Sequence, residues 1–426
     1  MGFNRNRERL YTITQMEHRG DYKVGANRLL NNPKQRKLLF SAGLSWMFDA
    51  MDVGMISFVV AALAKEWSLR SEQIGLLTSI NSLGMAMGAA TAGILADRFG
   101  RKNILLWTLV IFSAATGLSA LAAGFAILCV LRFIAGFGLG GELPVASTLV
   151  SESVEPNERG RAVVLLESFW ALGWIASALI AYFVIPSYGW RLALVIGAVP
   201  VLYALYLRRA IDDSPRFAGI RKAPVPFKAR FASVWSADYR KSTVMLWILW
   251  FTVVFSYYGM FLWLPSVMVL KGFSLVRSFE YTLIMTLAQL PGYFTAAYFI
   301  EKFGRKFVLV VYLFFTAVSA AWFGFASSEG MLIAAGICLS FFNLGAWGGM
   351  YAYTPELYPT AVRSTGVGMA ASFGRIGGII APLLVGVLVG QSVGISSIFL
   401  LFFATIIVGA IAVLLLGKET KGTELM

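Results

Sequence analysis

The sequence predicts an all-α membrane protein whose twelve transmembrane helices form two six-helix bundles. Three observations predict it. First, 58% of the 426 residues are hydrophobic, 14% aromatic and only 14% charged, and the mean hydropathy is +0.72. An average soluble domain carries roughly a quarter charged residues, and a soluble globule cannot keep this much apolar surface from water. Second, the apolar residues gather into runs of about 20, the length a helix needs to cross a bilayer. Third, two loop patterns recur at one fixed offset along the chain.

The apolar runs fall at 37–64, 72–97, 103–122, 124–153, 161–185 and 190–210, then at 242–270, 278–302, 306–326, 330–355, 366–390 and 394–417. They lack the strict alternation of barrel strands. They divide the chain into an N-terminal tail (1–36), a first bundle (37–210), a polar linker (211–241) with Pro215, Pro224 and Pro226, a second bundle (242–417) and a tail (418–426).

Loop charge orients the spans. If the N-terminus is cytoplasmic, 29 of the 36 Lys and Arg lie on that side, five lie opposite, and Arg132 and Arg375 fall within spans. Basic residues near span ends stay in the cytoplasm, so both termini are expected there, in a multi-pass cell-membrane protein. The net charge of +14 reads as this orientation signal meeting anionic lipid rather than as a nucleic-acid surface. Residues 1–36 lack the apolar stretch of a cleavable signal peptide. Cys129 and Cys338 both lie in spans and imply no disulfide framework, and the single His18 lies in the tail. With no nucleophile–base pair at recognisable spacing and no metal-ligand cluster, neither an enzyme nor a cofactor is expected.

The stretch GILADRFGRK (93–102) closes span two, and AYFIEKFGRK (297–306) closes span eight. Asp97 maps to Glu301, Arg101 to Arg305, Glu152 to Glu356 and Arg159 to Arg363, each 204 positions on. The halves are therefore a parallel duplication. Parallel six-helix halves about a central site are the architecture of the major facilitator superfamily. GILADRFGRK resembles that superfamily's loop signature, and RFIAGFGLGGELPVASTLVSESVEPNERG (132–160) and PELYPTAVRSTG (355–366) resemble its span-four and span-ten ends in the sugar-porter and organic-ion branches. The resemblance covers about 40–417. It implies that Asp97, Arg101, Glu152, Arg159, Glu301, Arg305, Glu356 and Arg363 form a cytoplasmic gate of charge clusters. Gly136, Gly138 and Gly141 formally match a dinucleotide fingerprint, but no strand precedes them and close helix packing is the better reading.

A charge at the bilayer centre costs about 2.5–3.5 kcal/mol even on the lenient insertion scale, so each one calls for a partner or a substrate. The spans hold Asp49, Asp52, Arg132, Glu142, Glu167 and Arg375. Arg375 has no acid within its own span, 366–390, and its guanidinium is a fork matched to a carboxylate. It is expected either to bind an anionic substrate group or to pair across the bundle with Asp49, Asp52 or Glu167. The resemblance to proton-coupled sugar porters implies that Asp49 pairs with Arg132, as a proton switch or as a fixed ion pair orienting the helices. Glu167, Trp170 and Trp174 share one face of span five. Together with Trp46, Tyr257, Tyr258, Gln289, Asn343 and Trp347 they suit a small planar ring: indole and phenol faces to stack on, amides for a ring nitrogen, Arg375 for a charge.

LLESFWALGWIASALIAYFVIPSYGW, FSYYGMFLWLPSVM, LAQLPGYF, FFNLGAWG and the ending GKETKGTEL resemble the bacterial niacin permeases of the superfamily. That resemblance implies a secondary active transporter importing nicotinate or a related pyridine or aromatic acid by alternating access, with protons as co-substrate and one chain as the working unit. Its carboxylate would meet Arg375, its ring Trp46, Tyr257 or Trp347, and its ring nitrogen Gln289 or Asn343. A transporter for a benzoate-type acid is the first alternative, and a non-transporting membrane receptor the second.

Overall fold

The computed structural model describes residues 33–99, 101–153, 159–203, 206, 232–359 and 363–421. Every element among them is a helix, as a bilayer demands of a backbone that must satisfy its own hydrogen bonds. The first half contains α1 (Pro33–Glu66), α2 (Ser71–Phe99), α3 (Arg101–Ser119), α4 (Phe125–Ser153) and α5 (Arg159–Gly197). The second contains α6 (Arg240–Phe261), α7 (Leu264–Leu270), α8 (Leu275–Leu287), α9 (Gln289–Phe303), α10 (Arg305–Phe325), α11 (Glu329–Glu356), α12 (Arg363–Gly390) and α13 (Ile395–Leu416).

Among the described residues, eleven helical stretches are long and apolar enough to cross a membrane. Twelve spans were expected, and the difference has one cause. Spans five and six fall in one stretch, Leu165–Tyr203, because only Gly189, with a φ of 79° and a ψ of 168°, separates their two helices. Only glycine adopts that φ without strain. Spans seven and eight are each made of two pieces, α6–α7 and α8–α9, interrupted around Trp263 and Ala288.

Small residues bring helices into backbone contact. In α4, a Cβ at Gly136 would stand 2.1 Å from Asn81 O, and one at Gly140 would stand 1.9 Å from Met85 O, both on α2. Gly138 and Gly141 meet α3 in the same way, at Phe112 N and the Thr108 methyl. The dinucleotide-like spacing is thus a helix-packing face.

The halves meet chiefly through α2 against α12 and α5 against α8. Near Ser71 and Gly390, the ends of α2 and α12 remote from the basic loops, the contact is backbone on backbone. A Cβ at Gly75 would lie 2.7 Å from Pro382 O, and one at Gly386 would lie 2.5 Å from Ser71 O. Phe58 and Phe279 meet edge to face at 5.3 Å across the same junction. The bundle is closed at this face.

Candidate functional site

Midway along the helices, aromatic rings from both halves form a continuous array. Trp46 (α1) lies 4.8 Å from Trp170 (α5) between ring centroids. Trp170 donates its indole N–H to the Tyr257 hydroxyl (α6) at 2.7 Å, tying one half to the other. Tyr257 in turn contacts Trp174 at 6.1 Å, Trp347 (α11) at 5.0 Å and Tyr258 at 5.4 Å. The spacing of Glu167, Trp170 and Trp174 along α5 carries this face, because residues three and seven apart lie on one side of a helix.

Charged groups stand at the edges of the array. The Arg375 guanidinium, on α12, reaches the Tyr258 hydroxyl at 3.5 Å and the Met85 sulfur of α2 at 3.9 Å. Among the described residues, no carboxylate lies within ion-pair distance of it. Glu167 is 1% exposed and sets its carboxyl beside the indoles of Trp46 and Trp347, with no well-aligned hydrogen bond to either oxygen among the described residues. Gln289, the first residue of α9, is buried with both its amide nitrogen and oxygen unpartnered, and Asn343, one turn before Trp347 on α11, is buried with an unpartnered amide oxygen. The structure thus brings Trp46, Glu167, Tyr257, Trp347 and Arg375 together, with Gln289 and Asn343 on the adjoining helices.

The expected Asp49–Arg132 pair does not form. Arg132 pairs with Asp52, its Nη1 3.3 Å from both carboxylate oxygens. Thr116 donates to Asp52 at 2.5 Å, and Arg132 donates to Thr116 at 2.9 Å and to Ser119 at 3.0 Å. Depth decides the choice of aspartate. Arg132 is one to two turns from the start of α4, level with the last turns of α3, and Asp52 lies almost a turn further along α1 than Asp49. Asp49 instead faces Glu142 of α4, carboxyl to carboxyl, with Ser45 beside Glu142. The reading of the spans singled out Glu142 only as an intramembrane charge, and Asp52 beyond that only as one candidate partner of Arg375. Their roles depend on helix azimuth, which the sequence does not display.

Of the expected gate, the side chains of Asp97, Arg101, Glu152 and Arg159 lie outside the described residues. In the second half, Arg305 bridges Glu301 at 3.1 Å and Glu356 at 3.2 Å, while Arg363 donates to the carbonyls of Pro355 and Tyr358 at 3.0 and 3.1 Å. The C-terminal segment joins this cluster, an involvement the sequence reading missed. Glu419 accepts the backbone N–H of Arg305 at 2.8 Å, and Thr420 donates to Glu356 at 2.5 Å. Partial burial pushes the Glu419 carboxyl up, but N–H groups of Lys421, Arg305, Thr420 and Phe307 outweigh it and hold the group below the usual glutamate range.

A duplicated helical bundle with aromatic and charged groups enclosed where its halves meet defines a polytopic membrane transporter. The chain matches the family model described as Major Facilitator Superfamily over residues 42–289 and 279–424, and it belongs to that superfamily. It is 59% identical over 391 residues to the Bacillus subtilis (strain 168) protein named "Putative niacin/nicotinamide transporter NiaP", covering 92% of this chain and 98% of that one. It is 44% identical over 416 residues to the "Niacin transporter NiaP" of Acinetobacter baylyi, covering 91% and 95%. Among solved structures it resembles the partially occluded, inward-open xylose transporter XylE of E. coli, with a TM-score of 0.75 at 17% identity over 92% of this chain and 99% of that one, a likeness of fold.

Proposed function

We propose that the protein imports nicotinate across a bacterial cytoplasmic membrane by alternating access, as a monomer, with a proton as co-substrate. The observation that carries this reading is the array of Trp46, Trp170, Tyr257 and Trp347 with an arginine at its edge that pairs with no acid. A flat ring stacks on indole and phenol faces, and a guanidinium fork matches a carboxylate. The names of the Bacillus and Acinetobacter relatives support the pyridine class, since niacin and nicotinamide share that ring. The loop charges support cytoplasmic termini in contact with anionic lipid, so the closed face of the bundle is the outer one and residues 37–210 rock against 242–417. Arg305 with its acids would serve as the second-half latch of the cytoplasmic gate, and Asp97, Arg101, Glu152 and Arg159 as that of the first half.

Proton coupling rests on the acids of α1 and α4. Asp52 is committed to Arg132, whereas Asp49 and Glu142 stand close together with no cation between them. Two carboxylates in contact in a low dielectric cannot both be charged, which makes this pair the proton carrier. Uptake of labelled nicotinate into proteoliposomes tests the whole reading. Accumulation stimulated by an inward proton gradient is expected. Absence of uptake by folded protein would overturn the substrate, and insensitivity to the gradient would overturn the coupling.

A further inference from the structure

Glu167 and Arg375 carry opposite charges to one aromatic array without touching each other. Arg375 approaches from α12 through Tyr258, and Glu167 approaches from α5 beside Trp46 and Trp347. The glutamate is 1% exposed, its nearest donors are the indoles of Trp46 and Trp347, and neither carboxyl oxygen makes a well-aligned hydrogen bond among the described residues. Burying a polar group without a partner costs a few kcal/mol by the general rule, and a charged one costs more, so such a group in a site calls for a ligand atom. Among the described residues, the ionisable groups that interact with it are Arg375, Tyr258, Tyr293 and Tyr351, and none of them is a second carboxyl with which it could share a proton.

The ligand that satisfies both ends is flat, has a carboxylate for the guanidinium, and bears a basic ring atom for the carboxyl. A carboxyl and a pyridine nitrogen hold a single proton between them, as O–H···N or as O⁻···H–N⁺, without any further reactant. An amide donates to the neutral nitrogen but brings neither the proton nor the charge that balances the pair. We infer that Glu167, rather than Gln289 or Asn343, reads the ring nitrogen of the substrate, and that this contact separates pyridine carboxylates from benzene carboxylates. Arg375 treats the two alike, because both carry the same carboxylate; Glu167 distinguishes them, because a ring C–H leaves the buried acid unpartnered. The inference rests on a pyridine carboxylate being the substrate.

The test is competition of benzoate against labelled nicotinate in proteoliposomes holding the wild type, Glu167→Gln or Glu167→Asp, each shown to be monodisperse. In the wild type, benzoate should compete at least about tenfold more weakly than unlabelled nicotinate. Glu167→Gln, whose amide donates to the nitrogen but has no proton to share, should narrow that preference by raising the nicotinate KM while leaving the benzoate inhibition constant within about threefold of its value. Glu167→Asp, which keeps the acid, should retain part of the preference. Equal competition by the two acids in the wild type overturns the inference even where Glu167→Gln does not fold, and an unchanged preference in transporting Glu167→Gln overturns it too; nicotinate uptake stands in both cases. Absence of nicotinate uptake by the wild type overturns the substrate reading and this inference together.

Discussion

Arg132 and Asp52 form an ion pair with no solvent exposure on either side chain, the guanidinium 3.3 Å from both carboxylate oxygens and the hydroxyls of Thr116 and Ser119 closing the remaining positions. Every charge in the network has a partner, and removing one member leaves the other uncompensated. Asp52→Asn should therefore lower stability by about 3–5 kcal/mol, and the double variant Asp52→Asn/Arg132→Met should be less damaged than the sum of the single variants. Thermal melting in detergent reads both. Strict additivity would show that the two residues act separately.

Among the described residues Arg375 forms no ion pair, so its removal should spare folding and strike binding. A hydrogen bond to a charged group is worth about 1.5–3 kcal/mol, and Arg375→Gln should raise the nicotinate KM about 10- to 100-fold at an unchanged melting temperature. Arg375→Lys should fall between the two, because an ammonium supplies charge without the two-pronged fork. An unchanged KM in Arg375→Gln would remove the carboxylate from this position.

The closed face depends on absent side chains. A Cβ at Gly386 would lie 2.5 Å from Ser71 O and 3.1 Å from the Gly75 Cα, so Gly386→Trp has no room while α2 and α12 touch. This variant should hold the halves apart there and nearly abolish transport. In a Cys129→Ser/Cys338→Ser background, a thiol placed by Phe279→Cys, at the buried contact with Phe58, should react faster with an impermeant reagent once Gly386→Trp is added. Equal reactivity would mean that this contact does not govern access.

The C-terminal segment should undock in acid. The Glu419 carboxyl is held below its ordinary value in the folded state, so its contribution is fully present above the unfolded value of about 4.3 and is lost as the pH falls through the lower folded value. Protease sensitivity after Lys418 is expected to rise below about pH 4 in the wild type and to be high and flat with pH in Glu419→Gln. A wild-type profile matching that of Glu419→Gln would refute the docking role.

Much of this protein was legible in its sequence because a bilayer imposes a one-dimensional rule. A helix crossing hydrocarbon needs a set number of apolar residues, so the runs from 37–64 to 394–417 declare the spans. An ancient duplication leaves equal spacings, so Asp97 with Glu301 and Glu152 with Glu356 declare two halves. Trp46, Glu167, Tyr257, Trp347 and Arg375 stood out because each is expensive or unusual at mid-span. The tertiary structure alone decided which of these groups meet. Asp49 and Asp52 carry the same side chain less than one turn apart, yet Arg132 takes only Asp52, because helix depth and rotation bring Thr116, Ser119 and Asp52 to one point. The docking of Glu419 on Arg305 and the approach of Glu167 and Arg375 to one aromatic array are of the same kind. Each depends on the relative azimuth and depth of separate helices, quantities set by packing among all of them rather than by any local run of residues.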